Sequence, residues 1–201
     1  MSVFDQVYPR KNTNSLKWDK MDKVYNMEDT SELLAMWVAD MDFAPPQAVL
    51  DALHKRLDHP IFGYSLINDD CRDAIVSWFR RRHNWIIDPN TILFQSGVVP
   101  AIANIIDTFT QVGDKIVVST PIYPPFFNVP KNQKRELILC DLHEENGIYS
   151  FNFDTLEAAF KEAKMYILCN PHNPGGMTWS KADLEKIVEL AIKHDVFITD
   201  S

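Results

Sequence analysis

The sequence has few cysteines, and their arrangement excludes two kinds of site. Cys71, Cys140 and Cys169 are the three cysteines among 201 residues, and they lie far apart. No CxxC pair occurs and the number is odd, so the pattern suggests neither a zinc site nor a disulfide framework, and we predict no bound metal. Cys140 and Cys169 each end an apolar run, which is typical of side chains packed in buried strands.

Long apolar runs and an excess of positive charge are also absent. No stretch approaches membrane-spanning length, and the N-terminus has no apolar segment with a cleavage site, so we expect a cytoplasmic protein. The formal net charge is −8, whereas a nucleic-acid partner requires a clustered positive surface. The one dense basic run, Arg80, Arg81 and Arg82, is interpreted as a solvated helix face.

Several catalytic motifs are missing as well. The sequence contains no GxGxxG, Walker, HExxH or GxSxG pattern. Their absence argues against dinucleotide dehydrogenases, P-loop enzymes, zinc peptidases and α/β-hydrolases. What is present is an ordinary globular composition, with 46% hydrophobic and 24% charged residues, which is enough apolar material for a core.

From residue 92 onward, short apolar runs alternate with segments of helical periodicity. Continuous apolar runs indicate strands buried on both faces, and strand–helix alternation indicates a parallel sheet. We therefore predict an α/β fold, a three-layer sandwich with a mostly parallel sheet, preceded by part of a smaller α+β domain. The predicted strands are residues 92–95, 116–118, 137–140, 166–169 and 196–198.

Prolines and capping pairs mark the predicted helices. Pro45 and Pro46 precede one helix, a second is expected from about residue 69 to 83, and a third from the turn at Gly97 to about residue 109. Two further helices are expected to begin with a capping box. The paired residues are Asp154 with Glu157 and Ser180 with Asp183.

Ligands of parallel α/β sheets bind at the carboxyl ends of the strands, so the segments that follow the strands are candidate sites. Residues 96–100 form a small-residue turn into a helix, whose free N–H groups favour an anion, although many strand–helix turns share this feature. Residues 119–126 hold Tyr123 between prolines. The alternative interpretation is a rigid packed turn in which Tyr123 is structural filler.

Two more strand ends carry polar groups. Residues 170–176 read Asn-Pro-His-Asn-Pro-Gly-Gly, and each Asn is pushed out of the helical region by the following Pro, so we interpret this loop as functional. His172 is given no role, because loop histidines are usually surface residues. Asp200 ends a buried strand, where a carboxylate loses hydration unless a cation pairs with it. No partner is visible in the sequence, so a ligand is a candidate.

Together these segments resemble those of the fold-type-I pyridoxal-phosphate (PLP) enzymes. The more specific resemblance is to the cystathionine β-lyase (C–S lyase) branch of the aminotransferase class I/II family. Residues 37–43, which read WVADMDF, and residues 62–64, which read FGY, also carry it. The order of the motifs agrees with the family over essentially the whole chain.

The resemblance implies a role for each candidate residue in binding PLP. The cofactor's phosphate, ring and ring nitrogen would each have a partner, and the aspartate would keep the ring cationic so that it can accept electrons. Tyr123 and Asp200 are the catalytic candidates. The implied cofactor contacts are the amides of Gly97, Val98 and Val99 with the phosphate, Tyr123 with the ring face, Asn173 with the ring hydroxyl oxygen and Asp200 with the ring nitrogen.

The resemblance also implies an amino-acid substrate and a homodimer with shared active sites. Tyr64 would reach the phosphate in the neighbouring subunit, and the backbone near Ala39 would approach the substrate carboxylate. The family's Schiff-base lysine follows the strand-end aspartate on a later loop, whereas this chain stops at Ser201, where the family usually has an acidic residue. None of the lysines present has such a context. Lys181, Lys186 and Lys193 are interpreted as solvated surface.

We therefore expect the N-terminal half of a PLP enzyme, inactive by itself. Residues 1–59 would contribute to the small domain, and residues 60–201 would form the N-terminal part of the PLP-binding domain. The implied reaction is β-elimination from cystathionine or a similar sulfur amino acid, giving pyruvate, ammonia and a thiol. The alternatives are a PLP-dependent aminotransferase and a truncated product without catalytic activity.

Overall fold

The computed structural model describes residues 2–201, which form two compact units. The first unit ends at Cys71, and the second extends from Arg72 to Ser201. No helix in these residues combines the length and apolarity that a membrane crossing requires. The sequence-based division near residue 60 concerns the domains of the whole protein and stays a prediction.

The first unit has short helices and little buried surface. Its buried side chains are those of Lys17, Met21 and Ala35. No residue of its longest complete helix is buried, so this helix presents apolar side chains to solvent. The elements are a 3₁₀ turn at Val3–Asp5, α1 (Leu16–Asp19), α2 (Met21–Tyr25) and α3 (Gln47–Leu57), with α4 (Asp69–His83) starting before the boundary.

The second unit contains a four-stranded parallel sheet with the strand order β2-β1-β5-β6, and a separate antiparallel pair, β3-β4. This confirms the predicted α/β class. A 3₁₀ turn at Pro89–Thr91 lies between α4 and the next helix. The elements are α5 (Val98–Phe109), β1 (Lys115–Thr120), α6 (Pro125–Asn132), β2 (Glu136–Asp141), β3 (His143–Glu145), β4 (Ile148–Ser150), α7 (Phe153–Phe160), β5 (Met165–Leu168), α8 (Lys181–His194) and β6 (Phe197–Asp200).

Helices cover both faces of the sheet, which produces the three layers. On one face, Ile116 and Val118 of β1 pack with Ile102 and Ile106 of α5. On the other face, Val117 packs among residues of α7 and α8. Because successive strand residues point to opposite faces, a continuous apolar run places side chains in both layers.

The prediction of a strand at residues 92–95 is wrong. The backbone at Ile92 is extended, with φ −80° and ψ 113°, but no described residue pairs with this segment. Leu93 remains 83% exposed. A strand requires a hydrogen-bonded partner, and an apolar sequence alone does not provide one.

One of the two predicted capping boxes forms. At the start of α8, the Ser180 side chain accepts from the Asp183 N–H and the Asp183 carboxylate accepts from the Ser180 N–H. At α7 the prediction is wrong, because Asn152 is the N-cap and accepts from the Thr155 N–H. Asparagine and aspartate are both favoured N-cap residues, so Asn152 and Asp154 are competing positions in the sequence.

Candidate active site

Three loops of the second unit leave the sheet at the same edge. In the parallel register Leu168 of β5 lies opposite Asp200 of β6, and the Asn170 N–H donates to the Ser201 carbonyl oxygen at 3.3 Å. β1 is the other neighbour of β5, so its last residue, Thr120, also faces this edge. The segments that carry Tyr123, Asn173 and Asp200 therefore start from adjacent strand ends, where ligands of open α/β sheets bind.

Asp200 is an acidic group without a cationic partner among residues 2–201. Asp200 as a residue remains exposed. The surrounding protein nevertheless removes part of the hydration of its carboxyl group, which raises the pKa, while hydrogen bonds from the backbone N–H groups of Ser201 and Asn170 act in the opposite direction. The ionised form is thus less stable here than in water, and a bound cation would compensate for the lost hydration.

The two asparagines of the 170–176 loop have different environments. The Asn170 side-chain oxygen accepts from the Trp179 N–H at 3.2 Å, so this amide holds the loop. Asn173 is exposed, and its side chain has no hydrogen-bond partner in the described part of the chain. The backbone N–H of Asn173 donates to the Cys169 Sγ at 3.3 Å, and this hydrogen bond holds the backbone that carries the side-chain amide.

His172, which the sequence analysis left without a role, is buried. Its side chain is 3% exposed, so the expectation of a surface histidine is wrong. The ring Nε2 lies 2.9 Å from the carbonyl oxygen of Pro121, on the loop after β1. Burial arises from Tyr149 and Trp179, whose rings contact the imidazole, and Tyr149 is distant from His172 in the sequence.

Tyr123 lies on the turn between β1 and α6. Its ring is 40% exposed and makes an edge contact with Phe126, with the centroids 5.7 Å apart. The Tyr123 carbonyl oxygen accepts from the Phe126 N–H at 2.9 Å, which closes the turn into α6. Phe126 is the buried side chain of this turn, whereas Tyr123 remains partly exposed.

The N-terminus of α5 presents free backbone donors. Gly97 is its N-cap with φ 156° and ψ 172°, a region that is essentially restricted to glycine, and no side chain caps the helix. Pro100 has no N–H group to donate, so the amides of Val98 and Val99 remain for an anion. Phe109 in the last turn of α5 stacks on Phe197 at the start of β6, with the centroids 4.3 Å apart.

This stacking sets the direction of α5. The end of the helix lies beside the start of β6, and Ile102 and Ile106 pack on the sheet. The helix therefore runs antiparallel to the strands, and its N-terminus is directed toward the edge where Asp200 ends β6.

In the first unit, the segment around Ala39 is held by an ionic cluster that the sequence analysis did not find. The Asp42 carboxylate accepts from Lys17 Nζ and from the Trp18 indole N–H, both at 2.9 Å, and also binds Arg10. The hydrogen bond from Lys17 contributes most to lowering the pKa of Asp42. Lys17 Nζ also donates to the Asp40 carbonyl oxygen at 2.9 Å, immediately after Ala39.

Tyr64 is fully exposed in the first unit, and Ala39 is also exposed. The cofactor and substrate roles of all these residues stay predictions.

Comparisons with known proteins identify the family of this chain. Cystathionine β-lyase PatB of Bacillus subtilis (strain 168) is 41% identical over 197 residues, covering 97% of this chain and 50% of PatB. PLP-containing cystalysin from Treponema denticola superposes with a TM-score of 0.90 at 37% identity, covering 97% of this chain and 50% of cystalysin. A PLP-bound C–S lyase from Staphylococcus hominis superposes with a TM-score of 0.89 at 30% identity. The match covers 98% of this chain and 50% of the lyase.

The chain thus spans about half the length of the relatives that it matches. The profile of the family described as aminotransferase class I and II matches residues 32–199, which is most of the chain. The chain belongs to the aminotransferase class I and II family.

Proposed function

We propose that these residues form the cofactor-binding part of a PLP-dependent C–S β-lyase. The whole protein would act on cystathionine or a similar sulfur amino acid and release pyruvate, ammonia and a thiol. The observation that carries the proposal is the Asp200 carboxylate, partly dehydrated and without a cationic partner among the described residues, at the sheet edge where the loop with Asn173 also begins. The relatives named cystathionine β-lyase and C–S lyase support the choice of reaction.

The chemical character of the site fits PLP. The cofactor has a phosphate, an aromatic ring, a ring hydroxyl oxygen and a ring nitrogen that can be protonated. The uncapped N–H groups of Val98 and Val99 suit the phosphate, and the half-exposed ring of Tyr123 suits a stacked aromatic ring. Asn173 would donate to the hydroxyl oxygen, and Asp200 would accept from the protonated ring nitrogen.

Asp200 would govern the proton at the ring nitrogen. When bound, PLP supplies an electron sink for the negative charge that develops beside the substrate nitrogen. The Asp200 carboxylate would keep a proton at the ring nitrogen, and this cation would in turn stabilise the carboxylate. Tyr123 would fix the plane of the ring. The cluster of Asp42, Lys17 and Arg10 would hold the backbone near Ala39 for the substrate carboxylate.

The decisive assay uses the whole protein that contains these residues, with cystathionine and PLP and without a keto acid. A β-lyase releases pyruvate continuously under these conditions. An aminotransferase, which the family name also allows, stops after one turnover until a keto acid is added. Strict dependence on a keto acid would reject the lyase in favour of the aminotransferase, and a lack of both reactions would favour a non-catalytic product.

The Asp200→Ala variant tests the proposed role of the carboxylate. A hydrogen bond to a charged group contributes about 1.5–3 kcal/mol. Since about 1.36 kcal/mol corresponds to tenfold in rate, kcat should fall by at least about ten- to a hundredfold while PLP remains bound through its phosphate. Asp73→Asn, on the exposed side of α4, is the control. A normal kcat for Asp200→Ala would contradict the role.

The 201 residues themselves provide a second test, by titration with PLP followed by borohydride reduction and peptide mapping. Lys181 and Lys186 form ion pairs with glutamates of α8, and Lys193 pairs with Glu157 of α7. We therefore expect weak binding without a stoichiometric covalent adduct. A single, fully modified lysine within residues 1–201 would show that the site has been misassigned.

We also propose that the whole protein is a homodimer in which Tyr64 reaches the neighbouring subunit's phosphate site. The complete exposure of Tyr64 supports this, since an aromatic side chain is seldom left fully in water without a partner. Sedimentation velocity should show that the whole protein is a dimer. Tyr64→Phe should weaken PLP binding while the protein remains a dimer. A monomeric, active protein would contradict the shared site.

A further inference from the structure

His172 joins two loops that the proposed function assigns to the cofactor. Its Nε2 atom lies 2.9 Å from the carbonyl oxygen of Pro121, two residues before Tyr123. A carbonyl oxygen only accepts hydrogen bonds, so the imidazole must carry its proton on Nε2 and donate it. The bond links residues that are 51 positions apart in the sequence, and it is the direct hydrogen bond between these two loops.

The backbone of His172 closes its own loop. Its N–H donates to the Met177 carbonyl oxygen at 2.6 Å, and its carbonyl oxygen accepts from the Gly176 N–H at 2.8 Å. Asn173 lies within this closed turn. A shift of His172 would therefore move Asn173, which is the next residue in the chain. It would also move the loop of Tyr123, through the hydrogen bond to Pro121.

The imidazole has little freedom to move. Its centroid lies 5.1 Å from that of the Trp179 ring and 6.2 Å from that of Tyr149. A Cβ atom at Gly175 would lie 2.7 Å from His172 Cδ2 and 3.0 Å from Tyr149 Cδ2, so only glycine fits against the ring. The packing holds the Nε2 atom toward Pro121.

Burial also keeps the ring neutral. It lowers the pKa of His172, against the opposing effect of the carbonyl groups of Pro121 and Cys169. A neutral imidazole has a single N–H group, and the contact with Pro121 uses it. The bond is therefore present at neutral pH without a buried charge.

We propose that His172 is a positioning residue that fixes the distance between the Tyr123 and Asn173 loops and so sets the orientation of the PLP ring. The inference rests on the proposed function, because it concerns the same cofactor site. His172 does not touch the reacting atoms in this assignment. It acts through Tyr123 and Asn173, and it leaves the phosphate contacts at Val98 and Val99 unaffected.

Two substitutions separate the hydrogen bond from the packing. His172→Gln keeps an N–H donor at the same number of bonds from Cα, whereas His172→Leu keeps an apolar side chain without a donor. Loss of the bond should weaken PLP binding about five- to tenfold and reduce the circular dichroism of the bound PLP absorption band. His172→Gln should retain the PLP affinity and the circular dichroism of the wild-type protein. The Kd for inorganic phosphate should be the same in the wild-type protein and in both variants.

Hydrogen exchange provides a readout that requires no cofactor. In His172→Leu, the amides of Ile122, Tyr123, Phe126 and Phe127 should exchange faster, because their loop has lost its link to the 170–177 loop. His143→Gln, at an exposed position on β3, is the matched control and should change nothing. If the Leu variant does not fold, His172→Asn replaces it, since its amide is one bond too short to reach Pro121.

The outcomes distinguish the two proposals. The positioning role would be overturned if His172→Leu or His172→Asn had the same PLP affinity, the same circular dichroism and the same loop exchange rates as the wild-type protein. Absence of PLP binding by the wild-type protein would reject the proposed function, and the exchange experiment would still report whether His172 couples the two loops.

Discussion

The carboxylate of Asp200 loses part of its hydration at the end of β6, and this raises its pKa. A raised pKa means that ionisation costs the folded state more free energy than the unfolded state, in which an aspartate titrates near 3.9. The cost is present at neutral pH. It disappears as the pH falls through the folded pKa and below the unfolded value.

Asp200→Asn should therefore stabilise the protein without PLP. We expect a small rise in Tm at pH 7, because Asp200 is exposed and water screens most of the cost of its charge. The difference should vanish near pH 2.5, well below the unfolded pKa of about 3.9, where the carboxyl group is protonated in both states. Thermal unfolding of both proteins at the two pH values is the measurement, and a lower Tm for the variant at pH 7 would contradict the assignment.

Gly175 has no space for a side chain, because an added Cβ would lie 2.7 Å from the His172 ring. Gly175→Ala should destabilise the protein by about 1–3 kcal/mol, as for other insertions into packed sites. Urea unfolding measures the change. Gly63→Ala is the control, since Gly63 has no atom within 4 Å of an added Cβ. Equal unfolding midpoints for the two variants would show that the His172 site can relax.

At the scale of elements, α7 and α8 are linked through Glu157. Its Oε1 accepts from Lys193 Nζ at 2.6 Å and from His194 Nε2 at 3.1 Å. The hydrogen bond from Lys193 is the largest cause of the lowered pKa of Glu157, which falls from 4.5 to about 2. A lowered carboxyl pKa stabilises the folded state above the unfolded pKa, and the contribution is lost as the pH falls from about 4.5 to about 2.

Glu157→Gln should lower the urea midpoint at pH 7, and the difference from the wild type should shrink as the pH is lowered toward 3. Glu185→Gln is the control, because the pair of Glu185 with Lys181 is 3.5 Å long between well-exposed side chains. A constant difference from pH 7 to pH 3 would show that charge at Glu157 does not stabilise the α7–α8 contact.

The elements also show what the sequence can predict. Four strands followed from local information, since each apolar run is followed within three residues by Gly, Pro, Asn or Asp. The segment at residues 92–95 has the same pattern and forms no strand, because pairing depends on a partner that a local pattern does not contain. His172 was missed for a similar reason, since its burial depends on Tyr149 and Trp179.

At the scale of the whole molecule, burial is distributed unequally. The two apolar clusters lie in the second unit, whereas α3 in the first unit has no buried residue. Amides of β1 and β5 should therefore exchange only through global unfolding, and those of α3 through local opening. Exchange measured at increasing, sub-denaturing urea should accelerate for β1 and remain constant for α3.

Equal protection of α3 and β1 in the 201-residue chain would contradict this expectation. It would show that α3 is covered in solution, and a concentration series would then test whether a second copy of the chain covers it.

The contact between His172 and Pro121 has a consequence for the order of events during synthesis. Its two partners are 51 positions apart. At about 5–20 residues per second, a ribosome needs about 3–10 s to add that length of chain. During this interval β1 and β2 can already pair, while the turn with Tyr123 lacks its hydrogen bond to His172. In the proposed assignment, cofactor recognition is therefore a late property of the nascent chain, acquired only after β5 and its loop have emerged.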